Sequence, residues 1–116
     1  MFATLKLTAA HPIGSIVSFD SSAQAWGLAQ DATQLIGVIS DQPFEHEGAV
    51  YGAVTFGGVA FARASRDIEP QGGGLAVENG GAYVGALYLE RAGEVAPVAF
   101  DQPAPKAGEL VLIFLR

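Results

Sequence analysis

Apolar and polar residues alternate over short stretches of this chain, and glycine, proline or a polar turn interrupts each stretch after a few residues. In GSIVSFD (14–20), Val17 and Phe19 alternate with more polar neighbours, and AWGLA (25–29) follows the polar turn SSAQ. A period of two places successive side chains on opposite faces of a β-strand. The two stretches therefore predict a β-hairpin.

Two further apolar stretches predict strands in the middle of the chain. QLIGVIS (34–40) is rich in β-branched residues and ends at Asp-Gln-Pro, where Pro43 has no N–H to donate to a ladder. AVYGAVTFGGVAFARA (49–64) contains too many glycines and β-branched residues for a helix. It predicts either two strands or one long strand kinked at Gly57-Gly58.

The last third of the chain predicts a second hairpin and a final strand. LAVENGGAYVGALYL (75–89) surrounds the turn Asn79-Gly80-Gly81, and GELVLIFLR (108–116) ends the chain. A helix over residues 82–93 is the alternative for part of this region. Gly85 and the aromatic and β-branched content favour the strand.

Fifteen glycines and six prolines separate these short strands, which is typical of a small barrel or sandwich. We therefore predict an all-β fold, a small Gly-rich β-barrel or sandwich. A chain of 116 residues is long enough for one hydrophobic core and too short for two independent domains. We predict a single β domain over residues 12–116, preceded by an N-terminal arm over residues 1–11.

An internal repeat is indicated by the tripeptide Asp-Gln-Pro, which occurs at 41–43 and again at 101–103. The flanking sequences also align: Pro12 matches Pro70, and EGAVYGAVTF (47–56) matches AGELVLIFLR (107–116). The alignment predicts two pseudo-repeated halves, residues 12–56 and 70–116. The alternative is that Gly-rich β-proteins reuse the same turn chemistry.

The net charge of −6 opposes binding to a nucleic-acid backbone, which requires clustered cations. The chain has no cysteine, and no apolar run approaches the length of a membrane span or a signal peptide. We therefore expect no nucleic-acid partner and no membrane association. The cations, none of them clustered, are Lys6, Arg63, Arg66, Arg91, Lys106 and Arg116.

Candidate catalytic and metal-binding residues do not form a recognisable motif. Glu45-His46-Glu47 could in principle bind a metal, but adjacent residues of an extended chain point to opposite faces. Asp20, Asp41 and Asp101 stand at strand ends, where capping explains them. Arg63 and Arg66 are expected to form an ion pair with Asp67 or Glu69, within the chain or across an interface. We predict no catalytic, cofactor-binding or metal-binding residues, no cofactor, and no enzymatic activity.

Apolar side chains occur in excess of what one small core can bury. LVLIFL (110–115) is apolar on both faces, so a second face requires a central position in the sheet or another subunit. VTFGGVAFA (54–62) is similarly rich, and residues 2–8 alternate well enough to add a strand to a neighbour. The predicted interface residues are Phe2, Leu5, Leu7, Trp26, Phe56, Phe61, Leu112 and Phe114.

The order of these motifs resembles that of the small β-rich capsid decoration, or cement, proteins of tailed bacteriophages and gene-transfer particles. The motifs that carry the resemblance are GSIVSFD (14–20), WGLA (26–29), LIGVI (35–39), VTFGGVA (54–60) and IEPQGGGLAVENG (68–80). The resemblance implies a virion structural protein, assembled in the host cytoplasm, that binds the outer capsid surface. It also implies capsid protein, other copies of this chain, or both as partners, with a trimer favoured.

Two other functions remain open from the sequence. A tail-fibre or head-spike base, or another receptor- or glycan-binding module, predicts an exposed aromatic cluster formed from Trp26, Tyr51, Tyr83 and Tyr88. A small barrel enzyme with an unrecognised site predicts a buried ionisable group that faces a pocket.

Overall fold

The computed structural model describes residues 1–85, 93–96 and 104–115, and every regular element in these ranges is a β-strand. The all-β prediction is confirmed. The strands are β1 (Phe2–Leu7), β2 (Ile16–Asp20), β3 (Ala25–Leu28), β4 (Ile36–Ile39), β5 (Phe44–His46), β6 (Ala49–Thr55), β7 (Gly58–Arg63), β8 (Gly73–Glu78), β9 (Gly81–Val84), β10 (Glu94–Val95) and β11 (Leu110–Leu115).

Five strands of the first half close into a barrel. Their order is β1-β3-β2-β4-β6, and β6 pairs again with β1 in the antiparallel sense along the whole of residues 2–7. The parallel contact between Leu7 and Trp26 joins β1 to β3. The short strand β5 lies outside this ring and pairs with the first residues of β6.

The second half forms a five-stranded antiparallel sheet with the order β7-β11-β10-β8-β9. The hairpin predicted around Asn79-Gly80 is its β8–β9 pair, and both turn residues have positive φ, 46° for Asn79 and 77° for Gly80. Two adjacent positive φ values are the requirement of a type I′ turn, which matches the twist of the strands. An isolated parallel bridge between Ala64 and Ala82 brings the ends of β7 and β9 together.

The two halves have corresponding strand pairings, residue for residue. The parallel contact Leu7–Trp26 of the barrel corresponds to Ala64–Ala82 in the second half. When β1 is matched with β7 and β6 with β11 in this way, each pair of neighbouring strands in the barrel has its counterpart among the described strands of the second half. Examples are Phe2–Thr55 with Val59–Phe114, Val17–Leu28 with Leu75–Val84, and Ile39–Val54 with Val95–Ile113.

This correspondence differs from the sequence alignment in the register of β3 and of the last strand and in the extent of the repeated units. The alignment matches Thr55 with Leu115, whereas the pairings match it with Phe114, and a slip of one position exchanges the inner and outer faces of a strand. The correspondence also includes β1 and β7, which lie outside the predicted units 12–56 and 70–116. The second Asp-Gln-Pro, at 101–103, lies outside the described residues.

Residues 2–7, which we expected in an arm that adds a strand to a neighbour, instead form β1 within the barrel of their own chain. The physical reason is that β6 has a free side for pairing, and the inward residues of β1 are apolar. Leu7 is almost completely buried and Leu5 is half-buried. The backbone continues this pairing beyond β6, because the N–H of Phe56 donates to the carbonyl of Met1 at 2.7 Å.

The first Asp-Gln-Pro lies in the bend between β4 and β5, two strands that pair with the same neighbour, β6. The Asp41 carboxylate accepts a hydrogen bond from the N–H of Gln42 at 2.8 Å. The next turn, at Glu47-Gly48, has positive φ at both residues, 51° and 81°, and reverses the chain into β6. The motif therefore ends one strand and precedes a tight hairpin.

Two apolar clusters form the interior. The smaller one fills the barrel with Leu7, Val17, Ile39 and Val54. The larger one combines the inner face of the second sheet with the outer side of β2 and β4, from which Ile16, Ile36 and Val38 project. Because consecutive residues such as Ile16 and Val17 point to opposite faces, both are buried, one against each layer.

Backbone hydrogen bonds also join the halves at the β8–β9 turn. The carbonyl of Gly80 accepts from the N–H of Ile16 at 2.8 Å, and its N–H donates to the carbonyl of Ala29 at 2.7 Å. The described molecule is elongated, with extents of 46 × 27 × 23 Å.

Candidate interaction surface

The outer face of β7 and β11 is apolar and exposed. We call it the β7–β11 face and define it by Val59, Phe61, Leu110, Leu112 and Phe114. Phe61 is 60% exposed, Val59 54%, Leu110 47% and Phe114 39%, and Leu112 is half-buried. The intervening residues of both strands point into the larger apolar cluster.

The five side chains form one continuous patch because the two strands are in register. Leu112 pairs with Phe61, Phe114 with Val59, and Leu110 with Arg63. Side chains of directly opposed residues in an antiparallel pair lie about 4.5–5.5 Å apart, so they contact one another across the ladder. β11 lies between β7 and β10, so it is the face of the strand that is exposed and not its hydrogen-bonding edge.

Opposite charges stand at the two ends of the patch. At the Leu110 end, Arg63 donates from Nη1 to the carbonyl of Gly108 and from Nη2 to the carbonyl of Ile13, both at 3.1 Å. Two neutral carbonyls thus hold this cation, and no carboxylate among the described residues lies within ion-pair distance of it. At the other end, the exposed Glu94 is paired with Phe114.

An apolar groove of about 350 Å³ adjoins the patch where the second sheet meets the barrel. It shares Val59, Phe61 and Leu110 with the β7–β11 face, so the two form one continuous surface. The other lining residues are Ile13, Val38, Ile39, Ser40, Thr55 and Ala60.

The corresponding face of the barrel, formed by β1 and β6, is more polar. In the pairing correspondence of the two halves, Phe61 matches Thr4, Leu112 matches Ala53, and Phe114 matches Thr55. Val59 matches Phe2, and Leu110 matches Tyr51. Because the same strand pairing forms with threonine and alanine at three of these positions, the fold does not require large apolar residues there. Formation of the ladder therefore does not by itself account for the large apolar residues of the β7–β11 face.

Of the eight predicted interface residues, the structure brings Phe61, Leu112 and Phe114 together on the β7–β11 face. Phe2 is 69% exposed at the start of β1. The other four belong to the barrel interior. Leu7 is buried in its core, and Leu5, Trp26 and Phe56 are partly buried and pack against that core. The prediction of a contact surface for Leu7 is wrong, since β1 turns it inward.

Sequence reasoning missed Val59, Leu110 and Ile13 as members of this surface. Strand alternation could identify Val59 and Leu110. Each stands two positions from a predicted member of the surface, Phe61 or Leu112, and therefore lies on the same face of its strand. No comparable pattern marks Ile13, which lies in the loop before β2.

The aromatic residues expected to form a glycan platform lie in separate contacts. The Trp26 ring packs edge-on between Phe19 and Phe56, with centroid distances of 5.8 and 5.2 Å. Tyr51 stacks on Phe44 at 6.0 Å, on the outer side of β5 and β6. Tyr83 is covered by the Arg66 guanidinium, and Tyr88 lies outside the described residues.

The charged side chains pair differently from our expectation. Arg66 does not pair with Asp67 or Glu69 but donates to both carboxylate oxygens of Glu78, at 2.6 and 2.8 Å, while its guanidinium lies 4.0 Å from the centre of the Tyr83 ring. The sheet brings Glu78 beside Arg66, although the two are distant in sequence. The hydrogen bond from Arg66 lowers the pKa of the Glu78 carboxyl.

Asp20 caps the turn at the end of β2, as predicted, and Asp31, which was not among the predicted residues, caps a turn in the loop after β3. Asp20 Oδ1 accepts from the N–H and the hydroxyl of Ser22, at 3.0 and 2.7 Å, and these hydrogen bonds lower its pKa. Asp31 does the same with Thr33, and its pKa is lowered for the same reason. Within the described ranges, no three His, Asp or Glu side chains stand close enough to hold a metal ion.

Both histidines have identified neighbours. His46 is exposed, lies 3.9 Å from the Glu47 carboxylate, and places its ring against Tyr51. His11 shares a 3.0 Å hydrogen bond with the hydroxyl of Thr8, and partial burial lowers its pKa. His11 also borders an open polar groove of about 680 Å³ beside the β2–β3 hairpin, together with Phe19, Asp20 and Asp31.

Comparison with known proteins gave no family model, no curated protein and no solved structure that matches the chain. No helix long and apolar enough to cross a membrane occurs in the part of the chain that the structure describes.

Proposed function

We propose that this protein is a virion structural subunit that decorates or stabilises a capsid surface through contacts between subunits and performs no catalysis. Its partners are capsid protein, further copies of itself, or both, and it acts in the virion after assembly in the host cytoplasm. The observation that carries the proposal is the β7–β11 face.

A patch of this kind is a surface at which soluble proteins often bind a partner. The exposed parts of its side chains amount to roughly 400 Å² of apolar surface, which is about the size of the largest patch on a typical monomer. Such patches mark interaction sites, and the more polar counterpart in the barrel indicates that the ladder forms without one. A subunit whose function is contact accounts for both observations.

Co-sedimentation tests the proposal. The purified protein is centrifuged alone and with undecorated capsids of the phage type from its own source, over a range of protein concentrations. We expect saturable binding at a stoichiometry that follows the capsid symmetry. A protein that stays in the supernatant at every concentration would show that it is not a decoration subunit.

A variant links this binding to the surface. Phe61→Thr, Leu112→Ala and Phe114→Thr together install the residues of the corresponding positions in the barrel, which that ladder already accommodates. We expect the triple variant to keep its circular dichroism spectrum and to lose most of its capsid-associated fraction. Leu35→Thr, which removes a 68% exposed leucine elsewhere, is the matched control and should bind as the unaltered protein does.

The alternative function, a receptor- or glycan-binding module of a tail fibre or head spike, rests on the polar groove. This groove combines the half-exposed ring of Phe19 with the carboxylates of Asp20 and Asp31 and with side-chain amides such as that of Asn79. Glycan-array binding that is lost in Phe19→Ala, together with no capsid co-sedimentation, would favour this function over decoration.

A further inference from the structure

We infer that the polar groove beside the β2–β3 hairpin binds the guanidinium group of an arginine side chain that a partner protein presents. The groove has a volume of about 680 Å³ and shares no lining residue with the β7–β11 face. The inference therefore concerns a second site and does not depend on the decoration role. In the second half of the chain, a guanidinium of the protein itself occupies the equivalent position.

The β2–β3 hairpin corresponds to the β8–β9 hairpin of the second half. When the two ladders are superposed by their pairings, Gly27 stands at the position of Tyr83, and Asp20 stands at the position of Glu78. Each acidic residue is the last one of its strand. Asp20 and Gly27 both line the polar groove.

The segments that pass beside these hairpins correspond as well. The N–H of Thr8 and the N–H of Ser65 each donate to the carbonyl of the equivalent residue in β3 or β9, both at 2.9 Å. Thr8 and Ser65 are therefore equivalent, and each contributes a hydroxyl. The residue that follows is Ala9 in the first half and Arg66 in the second.

An aromatic ring and a guanidinium fill this position in the second half. The Arg66 guanidinium lies 4.0 Å from the centre of the Tyr83 ring and donates to both carboxylate oxygens of Glu78, at 2.6 and 2.8 Å. In the first half, glycine and alanine stand at the positions of Tyr83 and Arg66, whereas the acidic residue is present as Asp20. The first half therefore has the carboxylate without the cation that binds it.

The groove carries negative charge that no cation of the described residues neutralises. Oδ1 of Asp20 and Oδ1 of Asp31 cap their turns, but neither Oδ2 accepts a hydrogen bond from a described residue. No lysine or arginine is among the lining residues. Partial burial lowers the pKa of His11 below its ordinary value of 6.5, so this residue is neutral at pH 7 and offsets neither carboxylate.

The chemistry of the groove suits a guanidinium better than other cations. A guanidinium is planar, donates to carboxylate oxygens in a fork and stacks on aromatic faces, and the half-exposed ring of Phe19 lines the groove beside Asp20. Hydroxyl and amide oxygens such as those of Ser18 and Asn79 can accept from its remaining N–H groups. A metal ion lacks ligands here, since no three acidic or histidine side chains of the described residues converge.

Peptide binding followed by NMR tests the inference on the full chain. The probes are blocked tripeptides with glycine on both sides of arginine, lysine or citrulline, which has the shape of arginine without its charge. We expect the arginine peptide to shift the amide signals of Asp20, Gly27 and Asp31 saturably. The lysine and citrulline peptides should bind more weakly, citrulline at least tenfold. Equal binding of the three peptides, or shifts only outside the groove, overturns the inference.

Asparagine variants test whether the two carboxylates carry the binding. Asp20→Asn with Asp31→Asn removes both charges, while the asparagine oxygens still cap the turns. We expect this double variant to bind the arginine peptide at least tenfold more weakly than the unaltered protein. Glu45→Gln, which removes an exposed carboxylate on β5, is the control and should bind normally. A double variant with unchanged affinity rejects the inference.

Filling the groove is the converse test. Thr8→Ser, Ala9→Arg and Gly27→Tyr together introduce the residue types that stand at the equivalent positions of the second half. We expect this triple variant to keep its circular dichroism spectrum and to lose the arginine peptide, because its own guanidinium occupies the Asp20 carboxylate. A folded triple variant that binds the peptide as the unaltered protein does overturns the inference.

The results separate this inference from the functions considered above. Saturable binding of a neutral oligosaccharide at Phe19, without binding of the arginine peptide, rejects the inference in favour of a glycan-binding module. A protein that ignores capsids but binds the arginine peptide in the groove retains the inference and loses the decoration role. A protein that binds capsids through the β7–β11 face but does not bind the peptide retains the decoration role and loses the inference.

Discussion

Gly37 faces the inside of the barrel, in β4, where other positions carry branched side chains. A Cβ at this position would collide with Cγ1 of Val54 and lie 2.8 Å from Cε1 of Phe56. These two side chains therefore occupy the space that a larger residue would need. The glycine is required by packing, since its backbone is an ordinary strand conformation.

Gly37→Ala should lower the free energy of unfolding by about 1–3 kcal/mol, the usual cost of overpacking a core. Gly27→Ala is the matched control, because its Cβ would meet only the Thr8 side chain, at 3.1 Å, near the surface. Urea denaturation of both variants measures the difference. Equal losses for the two variants would mean that Val54 and Phe56 can move aside without cost.

Glu78 and Arg66 lead to a prediction about acid stability. The hydrogen bond from Arg66 lowers the pKa of Glu78 from its ordinary value of 4.5, and both groups are solvent-exposed. A carboxyl whose pKa is lower in the folded state stabilises the fold above its ordinary pKa, and this contribution disappears as pH falls through the lowered value.

The unaltered protein should therefore be more stable than Glu78→Gln at pH 7, and the difference should shrink below about pH 4. Urea midpoints at pH 7 and pH 3 test this, with Glu45→Gln as the control for loss of an exposed carboxylate. A difference that is the same at both pH values would show that the effect of Glu78 does not come from the charge of its carboxylate.

For single residues, the sequence predicted the kind of role that a side chain has better than it predicted the partner that the side chain contacts. The capping role of Asp20 and the exposed position of Phe61 follow from local rules that operate over short distances along the chain. The partner of Arg66 does not follow from such rules. Glu78 comes close to Arg66 only because the folding of the sheet brings together residues that are distant in sequence. Leu7 was misassigned for the same reason: its burial depends on β6, which comes much later in the chain.

The β8–β9 turn is an element that joins the two halves. Gly80 combines a left-handed conformation, φ 77°, with hydrogen bonds to Ile16 and Ala29, and a Cβ there would lie 2.5 Å from Cδ2 of Leu28. Gly48, in the turn at Glu47-Gly48, also has a left-handed conformation, with φ 81°, but no atom lies within 4 Å of the place that a Cβ would occupy.

Gly80→Ala should therefore destabilise the protein more than Gly48→Ala. The control should lose about 1 kcal/mol from left-handed strain alone, and Gly80→Ala should lose about 1–3 kcal/mol more from the collision with Leu28. Thermal unfolding monitored by circular dichroism compares the two. Equal losses would show that the contact between the turn and Leu28 contributes nothing to stability.

Local patterns predicted most of the strands and both hairpins of the described residues, because alternation and Asn-Gly turns act over short distances. The role of residues 2–7 was predicted wrongly. Alternation indicates that a stretch can pair as a strand, but it does not identify the partner, and here the partner is β6 of the same chain. Alternation of apolar and polar residues alone therefore does not show whether a strand pairs within its own chain or with a neighbouring subunit.

For the whole molecule, the larger apolar cluster predicts cooperative unfolding. Ile16, Ile36 and Val38 of the first half are buried in a cluster that they share with the inner face of the second sheet. We expect one unfolding transition for the full chain and no stable fold for residues 1–56 expressed alone. Calorimetry of the full chain and an NMR spectrum of the fragment test this. A dispersed fragment spectrum would indicate that the barrel folds by itself.

The sequence indicates the correspondence of the two halves only through the turn residues between the strands. The alignment matched β2 with β8 in the correct register, but an error of one position at the final strand exchanged its faces. Alternating apolar residues such as those of β11 match equally well in either register when both faces are apolar. Only the hydrogen-bonded ladder with β7 resolves that ambiguity.

Closure of the barrel by its first and last strands has a consequence for the order of events during folding. β1 cannot pair with β6 before β6 exists, so the N-terminal half stays open until positions 50–55 have been synthesised. Even then its strip of Ile16, Ile36 and Val38 faces water until the second sheet arrives. Such non-local pairing slows folding and prolongs the exposure of apolar surface. The half-synthesised chain is thus the species at greatest risk of aggregation.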